Sequence, residues 1–199
     1  MRTHPQEILE NSVDASHVPT VHDARRPGKY TPKTTKGTIL QHSLNIQWDG
    51  AYIGFPGTEM DVRLDVSVCG MGIIHVDTFA DLVGMQARQR IFATPIDEDY
   101  IHLRAALHVR RMHDDETTAN VHKMFQNGFE TDFVKDFPIW ENKAYQPQPL
   151  LSEADGPIGM FRKWARQFYS AETPAEGSTQ SPSGDKPVLI PFGKTQSVA

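Results

Sequence analysis

Asp14, His17 and His22 stand close together in ENSVDASHVPTVH, the stretch from Glu10 to His22. Two neutral imidazoles and one carboxylate on one side of an ion form the facial ligand set of mononuclear non-haem Fe(II) sites, which keeps positions open for O2 and substrate. An ideal helix turns about 100° per residue, so it would place Asp14 and His17 on one face but set His17 and His22 about 140° apart. A regular helix cannot unite the imidazoles. Pro19 disfavours helical backbone at Val18 and so predicts a bend there that could. The third ligand must come from elsewhere: Asp136, which ends an apolar stripe at helical spacing, or Asp132 on the same side. Asp14 would then stand behind the ligands, accepting the far N–H of one histidine to fix its tautomer. The plain alternative is that a pair of histidines this close arises by chance among nine, with Asp14 a turn or capping residue and Asp136 a water-exposed helix end.

These residues need a scaffold, and the hydrophobic pattern predicts one. Residues from Pro5 to about Val13 read as a short helix. Thr38 to Trp48 and the alternating MDVRLDVSV, with Val62, Leu64, Val66 and Val68 on one face, read as strands. MGIIHVDTF, RQRIFATPI and DYIHLRAALHVRR continue the alternation, giving about five antiparallel strands. The period then changes, and Val121, Phe125, Phe129, Phe133 and Asp136 recur as on one stripe of a long helix from Asp114 to Asp136. A second helix is predicted from Pro157, with Ile158, Phe161, Trp164, Ala165 and Phe168 inward and Arg162, Lys163 and Arg166 outward. The fold class is therefore α+β, an antiparallel sheet wrapping a long helix with a cavity between them that suits an apolar ligand.

The rest of the 199 residues sets bounds. The expected organisation is one domain over 1–170 and a disordered tail over 171–199, where AETPAEGSTQSPSGDKP is rich in Pro, Gly, Ser and Thr. The basic stretch ARRPGKYTPKTTKG, from Ala24 to Gly37, reads as a solvated loop. A net charge of −5 argues against nucleic acid as a partner. No apolar run reaches the ~20 residues of a membrane span, and no secretory leader pattern opens the chain, so the expected location is cytoplasmic. Cys69 is the single cysteine, which excludes an intrachain disulfide and any cluster needing two thiolates from this sequence.

ENSVDASHVPTVH resembles the E-N-x-x-D-x-x-H-x-x-x-x-H segment in the catalytic domain of Rieske-type non-haem iron oxygenase alpha subunits. KDFPIWENKAYQPQPLLSEADGPIGMFRKWARQFY and ATPIDEDYIHLRAALHV are similar to the branch that contains 3-ketosteroid 9-alpha-hydroxylase and the cholesterol 7-desaturases. The resemblance implies a helix-grip, START-like fold. It implies Fe(II) held by His17, His22 and Asp136, with Asn11 near the iron without ligating it. By the same likeness, Asp14 is the aspartate that bridges toward the [2Fe-2S] cluster of a neighbouring subunit in a homotrimer. It further implies O2 as cosubstrate, an apolar, steroid-like substrate that is hydroxylated or desaturated, and electrons from a Rieske domain or a ferredoxin and reductase. A Rieske cluster needs C-x-H and C-x-x-H pairs, and CGMGIIH, from Cys69 to His75, fits neither. The expectation is a catalytic half whose [2Fe-2S] centre lies on another domain or chain.

Two rival readings carry different consequences. A START-like module without its electron donor would bind an apolar ligand and not turn over. The HVD run of His75 to Asp77 also suggests a 2-oxoglutarate-dependent oxygenase, although strands produce this spacing often and no distal histidine and arginine pattern accompanies it.

Overall fold

The computed structural model describes residues 1–26, 28–49 and 57–169; the tail expected over 171–199 lies outside them. Six strands run β1 (Lys29–Lys36), β2 (Ile39–Asp49), β3 (Glu59–Cys69), β4 (Ile73–Ala80), β5 (Met85–Pro95) and β6 (Ile101–Val109). They form one antiparallel sheet in chain order, each strand beside its successor. α1 (Pro5–Glu10), α2 (His17–Val21), α3 (Asp115–Phe133), α4 (Phe137–Asn142) and α5 (Ile158–Ala165) complete the α+β helix-grip arrangement. No helix among the described residues is long and apolar enough to cross a membrane.

The stretch expected as a basic loop is instead strand β1, paired with β2. It is an edge strand, exposed along almost its whole length, with Lys, Thr and Pro where a central strand would carry apolar residues. The register slips between Pro32 and Thr34, where proline has no N–H to give the ladder. The alternation is cleanest in β4, which buries Ile74, Val76, Thr78 and Ala80 and turns its other residues to the opposite face; in β6 it lapses at Ala105, expected inward but exposed.

α3 starts where Asp114 caps it, Oδ1 accepting from Thr117 N at 2.6 Å. It does not run unbroken to Asp136. It ends at Phe133, and a 3-10 turn, Val134–Asp136, leads into α4. Pro138 explains the interruption, since it lacks the N–H that would continue the ladder to the Val134 carbonyl. Proline has a different effect at position 19: it sits in the first turn of α2, where N–H groups need no helical partner, so the chain breaks earlier, at Asp14.

α1 is buried on every residue, including Glu7 and Glu10. Lys143 Nζ lies 2.8 Å from Glu7 and 3.3 Å from Glu10, and Arg162 Nε and Nη2 reach Glu10 at 2.7 and 2.8 Å. Arg162, expected in solvent with Lys163 and Arg166, is thus turned inward by a buried carboxylate; removing Lys143 would leave the buried Glu7 without its cation, and removing Arg162 would leave Glu10 only the longer Lys143 contact. The remainder of the α5 stripe packs as expected, with Ile158, Phe161, Trp164 and Ala165 in the main core.

Two tertiary contacts hold the segment between α1 and α2. His42, fully buried on β2, places Nε2 2.7 Å from the Ser12 carbonyl oxygen and stacks on Tyr30. Gly156, at φ +72°, lies so close to this segment that a Cβ there would collide with the Val13 carbonyl oxygen. Gly156→Ala therefore combines left-handed strain with a backbone clash, and should lower Tm by roughly 5 °C or more in a thermal melt. The open Gly84, also at positive φ but with nothing near its Cβ position, is the control: Gly84→Ala should cost less.

Candidate metal centre and apolar cavity

The break between α1 and α2 is built by Asp14, whose backbone is extended at ψ 100°. Its Oδ1 accepts from Ser16 N at 3.1 Å, Ser16 Oγ at 2.9 Å and His17 N at 3.2 Å, meeting free N–H groups at the start of α2. The aspartate carboxylate is thus a cap. The histidine is fixed by the Asp14 carbonyl oxygen, 2.5 Å from His17 Nδ1, and not by the carboxylate that the spacing suggested. With the proton assigned to Nδ1 by that carbonyl, Nε2 keeps its lone pair and faces Asn11 Nδ2 at 3.2 Å.

His22 closes α2 and is buried. Its Nε2 lies 3.4 Å from Asp136 Oδ2 and its Nδ1 3.2 Å from Asp132 Oδ2, the second contact close in distance but off the hydrogen-bond direction. The two imidazoles meet edge-on, centroids 5.0 Å apart at 83°. One ligand atom from each of His17, His22 and Asp136 falls within 4.8 Å of the other two, a spacing that one ion can bridge. The α2 break and the 3-10 turn after α3 thus bring together residues far apart in sequence. Asp132 takes a different place from Asp136, behind His22 and bridged by Lys135 Nζ, which is 3.2 Å from Asp132 and 2.8 Å from Asp23.

The two histidines have opposite electrostatics. Burial holds His17 below its ordinary value, with the His22 charge acting the same way and Asp14 and Asp136 opposing. Burial also disfavours charge on His22, but the Asp132 and Asp136 carboxylates outweigh it and raise it to about 9. Asp132 is half-buried, which opposes its charge, yet His22 and Lys135 hold its carboxyl below the usual range.

The cluster borders a cavity of about 210 Å3 between the inner face of the sheet and α3. Ile46, Val62, Val76 and Ile91 line it from the sheet, and Phe125 and Phe129 from α3. His75 and Asp77 do not reach it: they occupy the opposite face of β4, where Asp77 pairs with Arg88 at 2.5 and 2.8 Å. The H-x-D run is therefore an outer-face feature and not part of this site. One support escaped the sequence, and a second, Asp132, figures there only as an alternative third ligand. Trp48 Nε1, which donates to the His22 carbonyl oxygen at 3.1 Å, carries no local signal of that role. Asp132 does carry one, since it lies one helical turn before Asp136.

Residues 1–169 match the family described as 3-ketosteroid 9alpha-hydroxylase C-terminal domain. The chain belongs to this family. An oxygenase component of 3-ketosteroid-9-alpha-monooxygenase from Rhodococcus rhodochrous is 27% identical, over 84% of this chain and 44% of the relative. A second from the same organism is 33% identical over 82% of this chain and 44% of the relative. Cholesterol 7-desaturase of Caenorhabditis elegans is 27% identical over 86% and 44%. The chain therefore spans less than half the length of these curated relatives. A solved structure of the Pseudomonas putida CBB5 NdmA QL mutant with theobromine has a TM-score of 0.58 at 14% identity, over 84% of this chain and 47% of that one, and shares its fold.

The raised His22 gives a sign that can be checked without any metal. Protons are bound by the folded state in excess of the unfolded state between pH 6.5 and about 9, so this contribution to stability is complete below 6.5 and is lost as pH rises through about 9. Histidine NMR on protein freed of metal should show His22 protonated at neutral pH and His17 neutral, and Asp132→Asn should bring His22 down. A wild-type His22 that titrates at its ordinary value would contradict the assignment.

Proposed function

We propose that the chain is the catalytic domain, over residues 1–170, of a Rieske-type non-haem iron oxygenase that hydroxylates or desaturates an apolar, steroid-like substrate. The observation that carries this reading is the convergence of His17, His22 and Asp136 on one point at the wall of an apolar cavity. The donor set fits Fe(II): two imidazole nitrogens and one carboxylate oxygen, with room on the cavity side. Family membership and the names of the relatives support it.

In this reading His17, His22 and Asp136 are the ligands, and bound iron supplies the O2 activation that no side chain here can provide. The chain's own residues do the rest. The Asp14 carbonyl holds His17 in the tautomer that presents Nε2, and the Asp132 carboxylate lies beside His22 Nδ1 and favours a proton there. Asn11 fills the space beside His17 without being needed as a ligand. Asp14 Oδ1 is engaged in capping, which leaves Oδ2 as the group that bridges to a Rieske centre. With one cysteine, these 199 residues cannot furnish that [2Fe-2S] cluster, so it comes from another domain or chain, through a neighbouring subunit of a homotrimer or a ferredoxin and reductase. Apolar walls keep water from the reacting carbon and orient it toward the ligand cluster.

The cavity, about 210 Å3 and partly open to solvent, offers a ligand a mainly apolar lining.

Iron content tests the reading. Protein loaded anaerobically should hold about one Fe(II) per chain, and His17→Ala, His22→Ala and Asp136→Ala should each fall to background while remaining folded. Asp132→Asn should instead weaken binding by about 10–100-fold, as expected of a group that orients a ligand. Wild-type protein that holds no iron yet binds apolar ligands would overturn the oxygenase reading in favour of an apolar-ligand-binding module.

A further inference from the structure

The polar groups that line the cavity fall into two sets. One is the cluster already described, with Asn11, Ser12 and Asp132 beside it. The other consists of Thr78 on β4 and Gln89 on β5, both projecting from the inner face of the sheet into apolar surroundings. In the register, Thr78 faces Ala87 and Val76 faces Gln89, so the two polar side chains are diagonal neighbours on adjacent strands.

Thr78 is 4% exposed, and its Oγ1 is buried with no hydrogen-bond partner. A valine would give the same shape without that cost, since burying an unmet hydroxyl is unfavourable while two apolar groups of equal shape are not. The hydroxyl therefore asks for a partner, and the cavity is the space it faces. Gln89 adds an amide with two donors and an acceptor.

Their separation from the metal cluster follows from two directions. Across the sheet, Thr78 pairs with Leu64 and Leu64 with Leu44, which packs against Ala15 and Val18 of the histidine-bearing segment; two strand spacings amount to about 10 Å. Along α3, Phe125 packs with Ala80 and Met85 near this end, and Asp132 lies roughly 10 Å further along the helix axis.

We propose that Thr78 and Gln89 form an oxygen-recognising pole of the cavity, which anchors a ketone or hydroxyl oxygen of an otherwise apolar ligand and leaves a carbon about 10 Å away beside His17, His22 and Asp136. This deepens the oxygenase reading and rests on it for the meaning of the second pole, but ligand choice can be read without turnover. A rigid apolar body with one oxygen at its end is the ligand chemistry that matches this distribution.

The test compares 5α-androstan-3-one with 5α-androstane, which lacks the oxygen, by fluorescence of Trp48 and Trp140, both of which line the cavity. Wild-type protein should prefer the ketone by about tenfold. Thr78→Val, nearly isosteric, should reduce that preference, and Thr78→Val with Gln89→Leu should erase it, while Tm and iron content stay at wild-type values. Equal binding of the two ligands by the wild type, binding of neither, or an unchanged preference in the double variant would overturn the proposal. Iron is measured on the same samples. A wild type without iron that keeps the ketone preference would sink the oxygenase reading and leave this pole standing, whereas iron-loaded protein without preference would do the reverse.

Discussion

Asp14 joins the backbone geometry of this protein to its chemistry. Its carboxylate ends one helical segment and caps the next, and its carbonyl holds His17 Nδ1. Without that break, two imidazoles on a continuous helix would diverge by about 140°. The break is itself supported from both sides. His42 contacts the Ser12 carbonyl from the sheet, and the turn before Gly156 contributes Asp155 Oδ1, which accepts from Ser16 Oγ at 3.2 Å. Local capping chemistry therefore selects the bend, and tertiary contacts keep it in one conformation.

Much of this was legible in the sequence because it is local. The spacing of His17 and His22, the apolar stripe leading to Asp136 and the alternation in five strands each reflect a period of the backbone, which one sequence can display. The errors also have physical causes. β1 lacks alternation because an edge strand has little to bury and must discourage further pairing. Pro19 indicated the right region and the wrong residue, because proline is tolerated in a first helical turn. The carboxylate of Asp14 was expected to orient His17, but at such short range its own backbone oxygen is better placed. Arg162 lay on the solvent side of its helical wheel, and a wheel does not show that Glu10 would be buried within reach of a long side chain. Thr78 sat on the inner face of a correctly assigned strand, yet nothing local distinguishes a satisfied hydroxyl from an orphan.

Charge is buried at two places with contrasting environments. At α1 the carboxylates of Glu7 and Glu10 are met by Lys143 and Arg162, so that helix is fastened to α4 and α5 by pairs that are costly to break. At the candidate metal centre two carboxylates share one imidazole, Asp136 at Nε2 and Asp132 at Nδ1 of His22, with Lys135 as an outer counter-charge. The first arrangement is closed on itself. The second has its ligand atoms turned toward a common point and toward the cavity.

The contact between Ser16 and Asp155 spans 139 residues of chain. In chain order the two histidines precede the sheet, while Asp136 and the turn that braces Asp14 follow it. The sheet can form strand by strand in the order of translation, since every strand pairs with its successor, but the ligand cluster cannot close until the C-terminal third arrives. A chain interrupted before α3 would then hold a sheet in which His17 and His22 lack the carboxylate that completes their cluster.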